Sequence, residues 1–265
     1  MLAAQLKGKL KVEEERLEDL LTYNVFGSFK YVEPEEGLLL FLKKATTDDG
    51  KLLTELPRIA RCDYDFWPKL RFTTKCEPDV VIRITHEVHS LTIIMIESKY
   101  LSGKSSTPSQ GEFLSDQLAI EWDNLQYILQ NNKATRGYLL YVTADYVMPK
   151  KEIEESQKEL ETKSGKRGNI AWVSWRVLPQ LLEQTKQKIL IDLRQLLLTQ
   201  GLDFFRGVKA SMDNSKKVNW SFVVVKEKSF QWRFTPLKVN WGFQKIENSF
   251  NLNVNIIFSD WRFNG

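Results

Sequence analysis

The chain is poor in several residue types and motifs, and each scarcity excludes something. It carries two cysteines, Cys62 and Cys76, in 265 residues. No disulfide framework can hold it together, and a reducing intracellular compartment, the cytoplasm, is expected. Its two histidines fall in one run, His86-Glu87-Val88-His89, which lacks the cysteines or further ligands that a zinc site needs. No Gly-x-Ser-x-Gly elbow is present, and a cysteine–histidine nucleophile pair would have to recruit Cys76 by coincidence. No apolar run is long enough to span a membrane. The opening residues, Met1-Leu2-Ala3-Ala4-Gln5-Leu6-Lys7, are too short and too soon charged for a secretory signal. Gly103-Lys104-Ser105 follows a predicted strand, as in a phosphate-binding P-loop. That motif needs a glycine where Ser98 stands, and Pro108 would interrupt the helix that must follow.

What is present is an ordinary globular composition, 42% apolar and 12% aromatic, with mixed charge and a net charge of +4. That mild basicity permits a nucleic-acid partner without demanding one, because clustering decides. The most informative stretch runs from Cys76 to Lys99. Cys76-Glu77-Pro78-Asp79-Val80-Val81-Ile82-Arg83-Ile84 and Leu91-Thr92-Ile93-Ile94-Met95-Ile96-Glu97-Ser98-Lys99 are short, β-branched and apolar. With Thr85 to Ser90 as a turn, they read as a hairpin. If it is centred near Val88, Asp79 lies opposite Glu97, and directly opposed residues have Cβ atoms about 4.5–5.5 Å apart. Glu97 and Lys99 share a strand face. Two carboxylates so placed repel unless a cation sits between them. Mg²⁺, with Mn²⁺ as a substitute, suits such oxygen ligands, and Lys99 beside it could orient or activate an attacking water.

Pro78-Asp79 followed by Glu97-Ser98-Lys99 resembles the PD-(D/E)xK nuclease superfamily, the restriction-endonuclease-like fold. The resemblance covers roughly residues 12–200. It implies an α/β fold with a mixed central sheet flanked by helices, and a metal-dependent hydrolase of DNA phosphodiesters. It also implies an endonuclease of a prokaryotic restriction or antiviral (anti-phage) defence system. Asp79 and Glu97 would hold the metal, with the Ser98 carbonyl as a further ligand, and Lys99 would assist hydrolysis. Many members add a helical acid before the hairpin. Glu18 fits that place, with Glu14 one turn earlier as a substitute. A glutamine on the helix after the Glu-x-Lys strand is also common. Gln117 matches it, with Asp116 and Glu121 as alternatives or plain surface charges. A homodimer or an activating defence-system protein would be a partner of such an enzyme. The competing readings are an RNA-cleaving enzyme and a non-catalytic nucleic-acid-binding or assembly module on the same fold.

The remaining pattern is consistent with that order. Helices are predicted over 13–30, 111–131, 149–163 and 177–198, the first on a Leu17, Leu20, Leu21, Val25 stripe. Strands are predicted within 59–75, 136–146 and 170–175. The apolar run 37–44 could be a helix or a buried strand, and 46–50 reads as a turn. Phe113, Leu114, Leu118, Trp122, Leu125 and Leu129 form the core stripe of the helix over 111–131. Lys104, Lys166 and Arg167 are candidates for nucleic-acid contact. The composition shifts near Gly201, dividing a nuclease-like domain over 1–206 from a β-rich segment over 207–265. In the latter Trp-x-Phe recurs at Trp220, Trp232, Trp241 and Trp261. Its strands are expected over 218–225, 230–234 and 252–258. Those aromatic ridges either pack on the core or offer a surface to bases or a partner.

Overall fold

The structure is a computed structural model. It describes residue 6 and residues 14–50, 56–100, 102–111, 113–204, 221–225 and 229–233; for 14–17, 221–225 and 229–233 it describes the backbone alone. The chain divides into two compact units, Met1–Phe205 and Arg206–Gly265.

The first unit is α/β. In chain order it runs α1 (Glu14–Phe29), α2 (Leu38–Leu42), β1 (Thr46–Thr47), β2 (Ile59–Phe66), β3 (Val80–His86), β4 (Leu91–Ser98), α3 (Gln117–Asn132), β5 (Arg136–Thr143), α4 (Lys150–Ser164), β6 (Ile170–Ser174), α5 (Leu178–Leu181) and α6 (Lys188–Thr199). Six strands form one mixed sheet in the order β1-β6-β5-β4-β3-β2. The β2–β3–β4 pairs are antiparallel, and β4–β5–β6 run parallel through the helical crossovers α3 and α4.

Both faces of this sheet are buried, so its central strands read as continuous apolar runs. Alternation still sorts them. Val80, Ile82, Ile84, Ile94, Ile96, Leu140 and Val142 pack under α1, α2, α5 and α6. Val81, Ile93, Met95, Leu139 and Tyr141 pack under α3 and α4. The β3–β4 register pairs Val80 with Ile96, the register that centring the hairpin on Val88 predicts.

The ambiguous run after Gly37 is a helix. A Cβ on Gly37 would stand 2.6 Å from the Phe29 ring, so glycine lets the chain pass close to α1. Phe41 then reaches a ring cluster with Phe26 and Trp175. Three expectations need correction. The helix over 111–131 starts only at Gln117, because the Asp116 side chain accepts from the Ala119 amide and caps it. Phe113 therefore lies ahead of the helix, 84% exposed, outside the core stripe. The helix over 177–198 is two helices, because a polar stretch from Glu183 to Gln187 separates the apolar periodicities of α5 and α6. Thr46 and Thr47, read as turn, also form the edge strand that pairs with Trp172 and Ala171.

In the second unit, β7 (Ser221–Val225) and β8 (Ser229–Arg233) pair antiparallel. The strand expected over 252–258, and every Trp-x-Phe pair in whole or in part, lie outside the described residues. Among the described residues, no helix is long and apolar enough to cross a membrane.

Trp175 joins core to sheet edge. It is fully buried, stacks on Phe41 at 6.0 Å and donates its indole N–H to the Lys99 carbonyl at 3.2 Å. Trp175→Ala is expected to cost about 3–5 kcal/mol by urea unfolding; a loss below about 1 kcal/mol would contradict this packing.

Candidate active site

The end of the sheet where β4 finishes gathers side chains from three directions. β4 ends on Ser98, so Glu97 and Lys99 bracket its last position. Asp79 immediately precedes β3, and the register carries it opposite Glu97. Helix α1 comes from one face and α3 from the other. Each offers two residues one helical turn apart: Glu18 and Thr22 from α1, Gln117 and Glu121 from α3.

These groups are joined by one network. The Lys99 ammonium contacts Glu97 Oε1 at 2.7 Å and Glu18 Oε1 at 3.2 Å. Glu18 Oε2 accepts from the Tyr100 amide at 2.9 Å and the Ser102 hydroxyl at 2.7 Å. Gln117 Nε2 donates to Glu97 at 2.6 Å and to Glu121 at 3.3 Å, while its carbonyl oxygen accepts from Ser105. Asp79 Oδ2 accepts from both the amide and the hydroxyl of Ser98, at 2.8 and 2.7 Å. Since the Ser98 hydroxyl donates there, the Thr22 hydroxyl at 2.6 Å must donate to Ser98. Asp79, Glu97, Ser98, Lys99, Thr22 and Glu121 are all buried.

Burial on this scale makes uncompensated charge expensive. Burial first, then the Glu97 charge, pushes the Asp79 carboxyl up to about 7, against the Ser98 hydrogen bonds and Lys99. Burial also raises Glu97, although Lys99 pulls it down. Glu121 stands well above the ordinary carboxyl range through burial, the Glu97 charge and a hydrogen bond shared with Glu97. The Lys99 ammonium contacts Glu97 and not Glu121, so Glu121 lacks the counter-charge that offsets burial at Glu97. Burial alone would lower Lys99, but Glu97 and Glu18 reverse this and keep it charged. Lys99 thus bridges Glu97 and Glu18, while Asp79 and Glu121 both feel the Glu97 charge. Among the described residues no N–H group reaches the buried Glu121 Oε2.

The structure brings Glu18, Asp79, Glu97, Ser98, Lys99 and Gln117 together. Ser98 acts here through its amide and hydroxyl. The Glu14 side chain lies outside the described residues. Glu121, open as an alternative to Gln117 or a surface charge, joins the site beside Gln117, and its i,i+4 spacing from Gln117 was the available signal. Asp116 instead caps α3 and pairs with Lys104. Thr22 was missed, although it stands four residues after Glu18.

Three expected contacts need correction. Lys104 is not free to touch a phosphate: its buried ammonium contacts Asp116 at 2.5 Å, the Glu152 carbonyl at 2.8 Å and the Ser156 hydroxyl at 3.0 Å. It is a strap from the 102–111 loop to α3 and α4. Lys166 and Arg167 precede β6, which runs parallel to β4 through β5, so they lie toward the opposite end of the sheet from Glu97. Arg167 is also paired with Asp48 and Glu161.

The Asp79 shift gives a signed prediction. A carboxyl whose folded pKa is raised stabilises the fold while protonated. The contribution is complete below the ordinary value of 3.8 and is lost as pH rises through about 7. In chelator, the wild type should therefore melt lower at pH 8 than at pH 5. Asp79→Asn stays neutral and can still accept both Ser98 bonds. It should be more stable than the wild type at pH 8, by on the order of 2 kcal/mol, and should lose that advantage toward pH 4. Thermal melts across this range check it; a variant no more stable than the wild type at pH 8 would contradict the assignment.

No protein-family model, no curated protein and no solved structure matches this chain.

Proposed function

We propose that this protein is a divalent-cation-dependent nuclease that hydrolyses phosphodiester bonds of DNA. The observation that carries the reading is the buried gathering of Asp79, Glu97 and Lys99 at one sheet end, with Glu18 and Gln117 reaching it from opposite faces.

The donor chemistry fits a hard cation. Asp79 and Glu97 are oxygen donors close enough for the Glu97 charge to raise Asp79, and Glu121 shares a hydrogen bond with Glu97 beside them. Among the described residues no group of three or more His, Cys, Asp or Glu forms a self-contained metal cage. An ion here would therefore take part of its shell from water and phosphate, as Mg²⁺ commonly does. Asp79 and Glu97 would hold it, with the Ser98 carbonyl as a further ligand. When bound, such an ion supplies Lewis-acid stabilisation of phosphate charge and a more acidic water.

The chain's own residues have separable tasks. Ser98, steadied by Thr22, fixes Asp79 through one oxygen, and among the described residues no protein donor reaches the other. Gln117 fixes Glu97. Lys99 stays protonated at neutral pH, so it serves as a hydrogen-bond donor and positive charge toward a water or a phosphate oxygen, not as the base. Its side chain is 10% exposed and that of Glu18 19%, against 3% for Glu97, so a substrate would approach from the Glu18–Lys99 side. Hydrolysis adds water across one P–O bond, leaving a phosphomonoester and a hydroxyl.

The test is incubation with plasmid DNA in Mg²⁺ or Mn²⁺, beside chelator and Lys99→Ala. Cleavage should require the cation and should fall at least about a hundredfold in the variant, as when one charge-stabilising donor is removed. Cleavage that survives chelation, or that is equal in Lys99→Ala, would overturn the reading. Degradation of RNA alone would move the same chemistry to another substrate.

A further inference from the structure

Between β2 and β3 the chain leaves the sheet as a finger, from Trp67 to Asp79. Its base is closed twice. The Trp67 amide donates to the Asp79 carbonyl at 2.9 Å, and Leu70 and Cys76 exchange both backbone hydrogen bonds at 2.9 and 3.1 Å. Trp67 adopts a left-handed φ of 50° there, a conformation uncommon for a bulky side chain. Asn124 of α3 pins the finger from below, accepting from the Phe72 amide at 3.2 Å and donating to the Thr74 carbonyl at 2.7 Å. Leu70 is buried in the α3-side core. The finger is therefore a fixed extension of the candidate site. Cys76 is three residues from Asp79, about 10 Å at most along the chain.

Its outer surface has a definite chemistry. Lys69, Arg71, Phe72, Thr73, Thr74 and Lys75 are all exposed. Among the described residues, none of the three basic side chains forms an ion pair. The only acid from Lys69 to Glu77 is Glu77 itself. At the tip, Phe72 stacks on Tyr127 of α3, with ring centroids 4.6 Å apart and planes within 16°. Phe72 is nonetheless 48% exposed and Tyr127 42%. Each ring uses one face on the other and stays about half exposed, and three unpaired cations, Lys69, Arg71 and Lys75, lie within three residues of Phe72 in the chain.

Half-exposed aromatic rings interleaved with free cations match the chemistry of a nucleic-acid strand whose bases are not already paired. A duplex buries its base faces in its own stack and would offer this surface phosphates alone. We propose that the finger and Tyr127 bind an unpaired nucleic-acid strand leading to the site, its bases on Phe72 or Tyr127 and its phosphates on Lys69, Arg71 and Lys75. This rests on the nuclease reading for its direction, and it narrows the substrate to DNA with a single-stranded segment.

The test is fluorescence anisotropy in chelator, with labelled oligothymidylate, oligouridylate and a DNA duplex of equal length. The wild type should prefer a single strand. Phe72→Ala should weaken single-strand binding about tenfold or more, Phe72→Tyr should retain it, and duplex binding should change little in either. Arg71→Ala with Lys75→Ala should reduce the salt dependence of single-strand binding by about 1.4 in slope. Oligothymidylate and oligouridylate share the stacking chemistry, and their ratio tells DNA from RNA. Single-strand binding unchanged in both Phe72→Ala and Tyr127→Ala, or a wild type that prefers duplex, would overturn the inference. Plasmid cleavage with that result would leave the nuclease reading standing. Phe72-dependent binding without cleavage in any cation would do the reverse.

Discussion

The structure turns on a charge imbalance buried at the end of β4. Asp79, Glu97 and Glu121 crowd one place, Glu18 closes it from outside, and Lys99 is the single ammonium among them. Carboxyl groups in such surroundings meet burial with protonation, with hydrogen bonding or with a cation. All three devices are used here. Ser98 and Gln117 bind the carboxylates, burial pushes Glu121 toward its neutral form, and Lys99 supplies the positive charge. What remains is an acid pushed up to about 7 and, among the described residues, a buried carboxyl oxygen that no N–H group reaches. A fold selected for stability alone has no reason to keep that arrangement. Conflicts between local stability and local chemistry gather where function lies.

The scaffold makes the arrangement rigid. β3 and β4 are buried on both faces, so a one-residue slip would send apolar side chains and the acids to the wrong layers together. The helices that cover the two faces each present one polar pair at the sheet end. Trp175 anchors the Lys99 backbone to the ring cluster of Phe26 and Phe41. Lys104 straps the following loop onto α3 and α4. The site is thus set on strand ends and helix faces, the elements that hold geometry best.

Much of this was legible in the sequence because two periodicities are strict. Alternation and the turn around Val88 fixed the register, and with it the pairing of Asp79 and Glu97. Apolar stripes predicted the helices that carry Glu18 and Gln117, and the family resemblance singled out those two residues on them. The failures have physical causes. A buried lysine and a solvated one have the same letter, so Lys104 read as a phosphate contact until its three partners were visible. Lys166 and Arg167 form a basic cluster in the sequence, but strand direction puts them away from Glu97. Thr22 was hidden in an apolar stripe and Glu121 stayed undecided beside another, because a polar residue there has meaning only through what it faces. The end of α3 nearest the site depended on one cap, Asp116, which outweighed the apolar residues before it.

The crowded carboxylates are proposed here as a site for a divalent cation. A ligand that binds only the folded state raises its melting temperature with concentration. The most direct measurement is a thermal melt at pH 8 with increasing Mn²⁺ or Mg²⁺, for the wild type and for Asp79→Asn. The account predicts a saturable rise for the wild type and little or none for the variant. No rise in the wild type, or an equal rise in both proteins, would contradict it.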